Sequence, residues 1–60
     1  MNMLATNLQI ALFHANEGKY DLVVFRLKRA LAEANRMRDR QSQRYVMRLL
    51  NIARKHTHHA

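Results

Sequence analysis

The chain has a single glycine, Gly18, and contains neither proline nor cysteine. Proline and glycine are the residues that most disfavour helix interiors, whereas the plentiful Ala, Leu, Arg, Met, Gln and Lys favour them. The regular alternation of apolar and polar residues that is typical of strands is missing. The sequence therefore predicts an all-α fold, with Gly18 ending a helix in a left-handed conformation.

The length of 60 residues allows one small domain, which we place at residues 1–56, followed by a frayed tail at 57–60. A folded chain this short buries only about 60% of the surface that its unfolded form exposes, so its core is marginal. The absence of cysteine removes disulfides and thiolate metal sites as reinforcement. Hydrophobic residues make up 48% of the chain, which is too many for a disordered protein. We therefore expect a homodimer.

Apolar periodicity predicts three helices. The first covers residues 3–16 and the second covers about 20–36, so that together they form a helical hairpin, 3–36, with its elbow at Gly18. The third helix is predicted at about 42–56. It is basic and amphipathic, with its arginines opposite a broad apolar arc.

The stretch between the second and third helices contains no helix breaker, yet it loses the apolar periodicity. Residues 35–44 read NRMRDRQSQR, with one apolar residue among them. This loss favours a turn near 37–41, with Asp39 or Ser42 as the N-cap of the third helix. A continuous helix through this stretch is the alternative.

Apolar residues cover more than one face of the hairpin, although a single stripe would suffice for the hairpin alone. We predict that the hairpin interior consists of Leu8, Ala11, Leu12, Val23, Leu27, Ala30 and Leu31. The apolar arc of the third helix, which includes Tyr45 and Ile52, would pack against it. A second set lies on other faces and is the predicted dimer or partner surface: Met3, Ile10, Phe13, Leu22 and Phe25. If one subunit buried this second set by itself, the prediction would lose its basis.

The net charge of +7 is concentrated in the second half of the chain. Residues 26–60 hold ten Lys or Arg against two acids, whereas residues 1–25 hold one Lys against two acids. Arginines recur every four residues, so a helix through them would carry one cationic stripe: Arg36, Arg40, Arg44 and Arg48. This stripe is a candidate for contact with a polyanion. An acidic protein partner and a merely solvated face are the alternatives.

Neither catalysis nor metal binding is indicated. The four acids are scattered, there is no glycine-rich phosphate loop, and so short a chain is not expected to enclose a pocket of about 300 Å³ or more. His56, His58 and His59 have no acid or cysteine near them in sequence, so we expect no metal and no cofactor. No apolar run approaches the ~20 residues of a membrane span, and no signal peptide is evident. We therefore expect a cytoplasmic protein that is not an enzyme.

Residues 7–35 resemble a tetratricopeptide (TPR) unit, a pair of antiparallel helices. The positions that keep the spacing of that motif are Ile10, Ala11, Gly18, Tyr20, Ala30 and Leu31. No second copy is present, so a full solenoid is excluded. The resemblance implies that the third helix acts as the capping helix that follows a last repeat.

The whole chain is similar in length and layout to the ANR family of short bacterial regulators. The similarity rests on three segments: NEGKYD at the elbow, RALAEA in the second helix and DRQSQRYVMR leading into the third. It implies a helical cytosolic protein that binds transcriptional activators of the AraC type or nucleoid proteins. A short accessory protein of a bacteriophage or prophage would have the same helical, basic character.

Three functions remain open from the sequence. The first is a non-enzymatic regulator or adaptor that acts by protein–protein binding and modulates transcription. The second is direct nucleic-acid binding through the arginine stripe, and the third is an oligomerisation unit without a separate ligand. No membrane contact is expected, because the apolar face of the third helix is needed by the hairpin.

Overall fold

The computed structural model describes residues 3–57. Within them the chain forms three helices, α1 (Met3–Asn16), α2 (Tyr20–Arg36) and α3 (Arg40–Thr57). The predicted all-α, three-helix architecture is confirmed. The third helix begins earlier than predicted, at Arg40 rather than residue 42, because Asp39 is its N-cap. Residues 58–60, in the predicted tail, lie outside the described part of the chain.

The turn between α1 and α2 is a Schellman motif centred on Gly18. The Gly18 N–H donates to the Ala15 carbonyl at 3.0 Å, and the Lys19 N–H donates to the His14 carbonyl at 2.9 Å. These bonds satisfy carbonyls that the end of a helix otherwise leaves unpaired. Gly18 has a φ of 75°, in a region that costs an L-residue about 1–2 kcal/mol. Glycine is therefore the residue that suits this turn.

The turn between α2 and α3 repeats the same motif without a glycine. The Arg38 N–H donates to the Asn35 carbonyl and the Asp39 N–H donates to the Ala34 carbonyl, both at 3.1 Å. Arg38 takes the left-handed position, with a φ of 56°. The turn predicted in this stretch is thus confirmed, and the alternative of a continuous helix is wrong.

Replacing Arg38 with glycine is expected to stabilise the protein. Glycine removes the strain of a side chain at positive φ, and the gain should be about 1 kcal/mol after the larger chain entropy of glycine is deducted. Urea denaturation followed by circular dichroism at 222 nm measures the change. The control is Arg44→Gly, which removes the same charge from an exposed position inside α3 and should cost about 1 kcal/mol. Equal losses in both variants would contradict the prediction.

Asp39 caps the first turn of α3. Its Oδ1 accepts a hydrogen bond from the Ser42 backbone N–H at 3.2 Å, and its Oδ2 accepts one from the Ser42 hydroxyl at 2.7 Å. A side-chain acceptor at this position satisfies one of the free N–H groups at the start of a helix. The Ser42 hydroxyl, followed by the backbone N–H groups of Ser42 and Gln41, holds the pKa of the Asp39 carboxyl below its usual range.

The Asp39 cap should make stability depend on pH in acid. Because the pKa is lowered in the folded state, the contribution is complete above about pH 4, the pKa of an unfolded aspartate. It is lost as the pH falls through the folded value. Asp39→Asn keeps an acceptor for the cap but cannot titrate, so the difference in melting temperature between the two proteins should change between pH 5 and pH 2. If thermal melts gave a constant difference in melting temperature over that range, protonation of Asp39 would not affect stability through the cap.

α2 is the central helix and packs against both α1 and α3. Its buried residues, Val23, Leu27, Ala30 and Ala34, lie on one stripe, and the Cα extents of the chain are 35 × 20 × 13 Å. Small residues of α2 let its neighbours approach closely, since Ala30 and Ala34 are completely buried. The buried apolar core is Leu4, Ala11, Val23, Leu27, Ala30, Ala34, Val46, Leu50 and Ala53.

One polar side chain is buried between α1 and α2. Asn7 is 3% exposed, its Nδ2 donates to the Met3 carbonyl at 2.9 Å, and its Oδ1 accepts from Arg26 Nη1 at 3.2 Å. Both functional atoms of the amide therefore have a partner, so burial leaves neither of them unsatisfied. The bond to Arg26 ties the first helix to the second at one register.

Candidate functional site

An open apolar groove lies between α1 and α3. The backbones of these two helices do not approach each other closely, whereas each of them packs against α2. The gap between them is a cavity of about 400 Å³. A chain this short was not expected to enclose a pocket of this size; the cavity is instead an open groove over α2.

The groove has a buried floor and partly exposed walls. Val23 and Leu27 of α2 lie at the floor and are 5% and 2% exposed. In the walls, Leu12 of α1 is 64% exposed, while Tyr45 and Ile52 of α3 are 54% and 50% exposed. Large apolar side chains that converge on one concavity while remaining exposed mark a surface suited to binding.

One end of the groove is formed by two stacked rings. Tyr20, at the start of α2, lies against His56 in the last turn of α3, with ring centroids 4.2 Å apart and planes inclined by 10°. Both residues also line the groove. The stack joins the ends of two helices that are distant in sequence, and it limits the groove on that side.

No protein-family model, curated protein or solved structure matches this chain. The chemistry of the groove lining is apolar: it includes no Asp, Glu, Lys or Arg, and its polar members are Gln9, Tyr20, Tyr45 and His56. Among residues 3–57, no group of three His, Cys, Asp or Glu side chains could hold a metal ion. His58 and His59 lie outside these residues. The groove can thus offer apolar contact and a few hydrogen bonds.

The two walls of the groove differ in charge. α1 contains no Asp, Glu, Lys or Arg, and α3 contains no Asp or Glu. The cations of α3 are Arg40, Arg44, Arg48, Arg54 and Lys55, and all of them are exposed. None of them forms an ion pair with an acid in the part of the chain that the structure describes. One wall is therefore neutral and the other strongly cationic.

No acid lines the groove, and two acids near the turns form ion pairs there. Glu17 lies 3.7 Å from Lys19 Nζ and 4.0 Å from His14 Nδ1. Glu33 Oε2 accepts a bond from Arg36 Nη2 at 2.6 Å. Glu17 and Glu33 pair locally and Asp39 caps α3, so these three acids do not neutralise the cationic wall.

The predicted dimer or partner surface lies apart from the groove, and none of its members lines it. Met3, Phe13, Leu22 and Phe25 are exposed by 39%, 59%, 43% and 49%, and Ile10 is half-buried. We call these five residues the outer apolar set. The condition that would have removed their prediction, burial of the whole set within one subunit, does not occur.

Phe25 is flanked by two cations. The guanidinium carbon of Arg29 lies 5.1 Å from the ring centroid, and that of Arg26 lies 5.7 Å from it. Contacts of this kind at exposed sites contribute about 0.5–1 kcal/mol. They hold the ring on the surface of α2, where half of it remains accessible.

The turn divides the predicted arginine stripe. Arg36 is in the last turn of α2 and is paired with Glu33. Arg40, Arg44 and Arg48 follow each other at intervals of four on α3, so they share one face of that helix. The stripe that remains available on one helix consists of these three residues.

Sequence reasoning missed the groove because it placed the wall residues in the interior. It assigned Leu12 to the hairpin core and Tyr45 and Ile52 to the packed face of the third helix; because half or more of the surface of each is exposed, these assignments are wrong. Leu12 would be covered only if α3 crossed α1. The signal available in the sequence was the width of the apolar arcs, which exceeds what one neighbouring helix can cover.

Proposed function

We propose that this chain is a small adaptor, not an enzyme, that acts by binding another protein through the groove between α1 and α3. The observation that carries this proposal is the exposure of Leu12, Tyr45 and Ile52 around a concavity with a buried apolar floor. A protein segment that fills the groove would remove these side chains from water, at about 25 cal/mol per Å² of apolar surface.

The class of partner is suggested by the resemblance noted in the sequence. Short regulators of the ANR type bind transcription factors or nucleoid proteins, and we propose the same partner class for this chain, in the cytoplasm. Its effect would then be to modulate transcription indirectly. Within residues 3–57 no helix is long and apolar enough to cross a bilayer.

Photo-crosslinking can test the proposed function. A photoreactive amino acid at residue 12 should crosslink to a protein in a nuclease-treated bacterial lysate. The same group placed at Asn51, which is exposed and does not line the groove, should give far less crosslinked product.

Affinity capture with a variant of the groove is the second test. Leu12→Gln/Ile52→Gln changes two exposed residues, so the helical circular dichroism spectrum should be kept. The tagged variant should no longer retain the partner. Equal capture by this variant would place the binding elsewhere.

We further propose that the outer apolar set forms the homodimer interface. The set lies away from the groove, so a dimer could form while the groove still binds its partner. Covering a few hundred Å² of apolar surface is a large gain for so small a domain.

Sedimentation equilibrium tests the proposed dimer. We expect twice the monomer mass of 7.1 kDa at micromolar concentration, and a shift towards monomer for Phe13→Gln/Phe25→Gln. The groove variant Leu12→Gln/Ile52→Gln is the matched control and should remain dimeric. A wild-type protein that stays monomeric would refute the dimer and leave the groove proposal intact.

Direct nucleic-acid binding is the second candidate, supported by Arg40, Arg44 and Arg48, which share one exposed face of α3 and have no acid paired with them. Each phosphate that is neutralised should contribute about one unit to the slope of log affinity against log salt. The triple variant with glutamine at these positions should lower that slope by about three. A slope that stays unchanged would rule this candidate out.

A further inference from the structure

The groove is shaped for a rod rather than for a small molecule. Its α3 wall extends from Tyr45 to His56, a length of about 17 Å at 1.5 Å per residue. α1 and α3 leave it uncovered along its length, so a small ligand would keep much of its surface in water. Sites for small molecules usually bury 70–90% or more of the ligand. About three turns of helix would fit the same length.

The walls also determine the conformation of the occupant. Helices form both sides of the groove, and no strand is present among residues 3–57, so no sheet edge is offered to an extended peptide. A segment bound there must satisfy its own backbone N–H and C=O groups, because the apolar walls supply few partners for them. An α-helix does so internally. Amphipathic helices bind to apolar grooves through anchors at i, i+3, i+4 and i+7.

The charges of the walls indicate the polar face of that helix. Arg48 follows Tyr45 by three residues and precedes Ile52 by four, so it lies on the same side of α3 as these two wall residues. It is exposed and has no ion pair with a described acid. The α1 wall contains no Asp, Glu, Lys or Arg. Acidic residues of a bound helix would therefore be favoured along the edge that faces α3.

Building on the proposed function, we propose that the groove binds one amphipathic α-helix of a partner protein, with acidic side chains along its α3-facing edge. A second copy of the chain suits the groove less well. Its flanking helices α1 and α3 contain no Asp or Glu that could lie along the α3-facing edge. A nucleic-acid duplex would meet the arginines but leave the apolar walls without a partner.

Synthetic helical peptides of about five turns, titrated by fluorescence anisotropy against the full chain, test this inference. Three peptides share leucines at i, i+3, i+4, i+7 and i+11 and differ on one flank, which carries Glu, Gln or Lys. A fourth peptide has the composition of the Glu peptide in scrambled order. We expect the Glu peptide to bind about tenfold more tightly than the Gln peptide at about 50 mM salt, and this advantage to shrink at about 200 mM. The scrambled peptide should bind at least tenfold more weakly, because its leucines do not form one face.

Three variants test whether the peptide binds in the groove. Leu12→Gln/Ile52→Gln should abolish binding of the Glu peptide, whereas Phe13→Gln/Phe25→Gln, which changes two residues of similar exposure outside the groove, should not weaken it. Arg48→Glu should weaken binding of the Glu peptide and strengthen binding of the Lys peptide. This reversal of peptide preference by Arg48→Glu would place the acidic edge beside α3. The bound Glu peptide should also show increased helicity by circular dichroism.

Several outcomes would overturn the inference. Equal affinity for the Glu and Gln peptides would remove the acidic edge, and equal affinity for the scrambled peptide would mean attraction to any polyanion. Binding without a gain in helicity would exclude a helix, and a Glu peptide that dissociates the dimer would mean that a second copy occupies the groove. If no peptide binds but residue 12 still crosslinks to a protein, this inference fails while the proposed function stands. If no peptide binds and residue 12 does not crosslink to a protein, both this inference and the proposed function fail.

Discussion

Leu50→Ala is expected to unfold the protein. Leu50 is 2% exposed and lies in the contact between α3 and α2. Removing a buried leucine side chain costs about 2–5 kcal/mol, and a single core in a domain of this size rarely supplies more than about 3–5 kcal/mol. Neither helix pair alone would compensate, because chains below about 40 residues seldom fold unaided.

The control for this substitution is two residues away. Ile52→Ala removes a similar volume from the same helix, but Ile52 is 50% exposed in the wall of the groove. The change in unfolding free energy should lie within about 0.5 kcal/mol of the difference in helix propensity between isoleucine and alanine. Thermal melts followed at 222 nm separate the two variants. Comparable losses for both would mean that the groove wall is buried in solution, by a dimer contact or by a different packing of α3.

Ala34→Leu is expected to be the second most damaging change. Ala34 is completely buried, its carbonyl accepts the Asp39 N–H of the second turn at 3.1 Å, and Gln43 Nε2 donates to the same oxygen at 3.4 Å. A larger side chain would push α3 away from α2, at a cost of about 1–3 kcal/mol for the excess volume. It would also disturb the hydrogen bonds that end α2.

Ala32→Leu provides the comparison for Ala34→Leu. Ala32 lies on the same helix and is exposed, so the added methylenes meet solvent and the variant should melt within a few degrees of wild type. Urea denaturation at constant protein concentration gives the unfolding free energies of Ala34→Leu and Ala32→Leu. If Ala32→Leu were the more damaging of the two, the face of α2 that packs against its neighbours would be misassigned.

The helices could be predicted from sequence because their signals are local. Gly18 and the apolar periodicity gave the bounds of α1 and α2, and the loss of periodicity after residue 35 placed the second turn. Arg38 could not be identified as the left-handed residue, since nothing in its side chain distinguishes it from its neighbours. Its conformation is set by the two Schellman bonds, which its own N–H and that of Asp39 donate, and by the Asp39 cap that follows.

The groove could not be predicted, because it depends on how helices that are not adjacent in sequence are placed. Leu12 is as apolar as Leu8, and nothing in the sequence around it indicates that α3 leaves Leu12 exposed. The burial of Asn7 was equally hidden, because it depends on a bond to Arg26 from the neighbouring helix. Charge could be read more directly: the cationic stripe on α3 was predicted, but its division by the turn was not.

The backbones of α1 and α3 do not approach closely, so close backbone contacts join only helices that follow one another in the chain. Little loop-closure entropy must therefore be overcome before native packing begins to form. Helical proteins with such local contacts fold in microseconds to milliseconds. Because α1 packs against α2 alone, its amide hydrogens should exchange with solvent before those of the central helix, which packs against two neighbours.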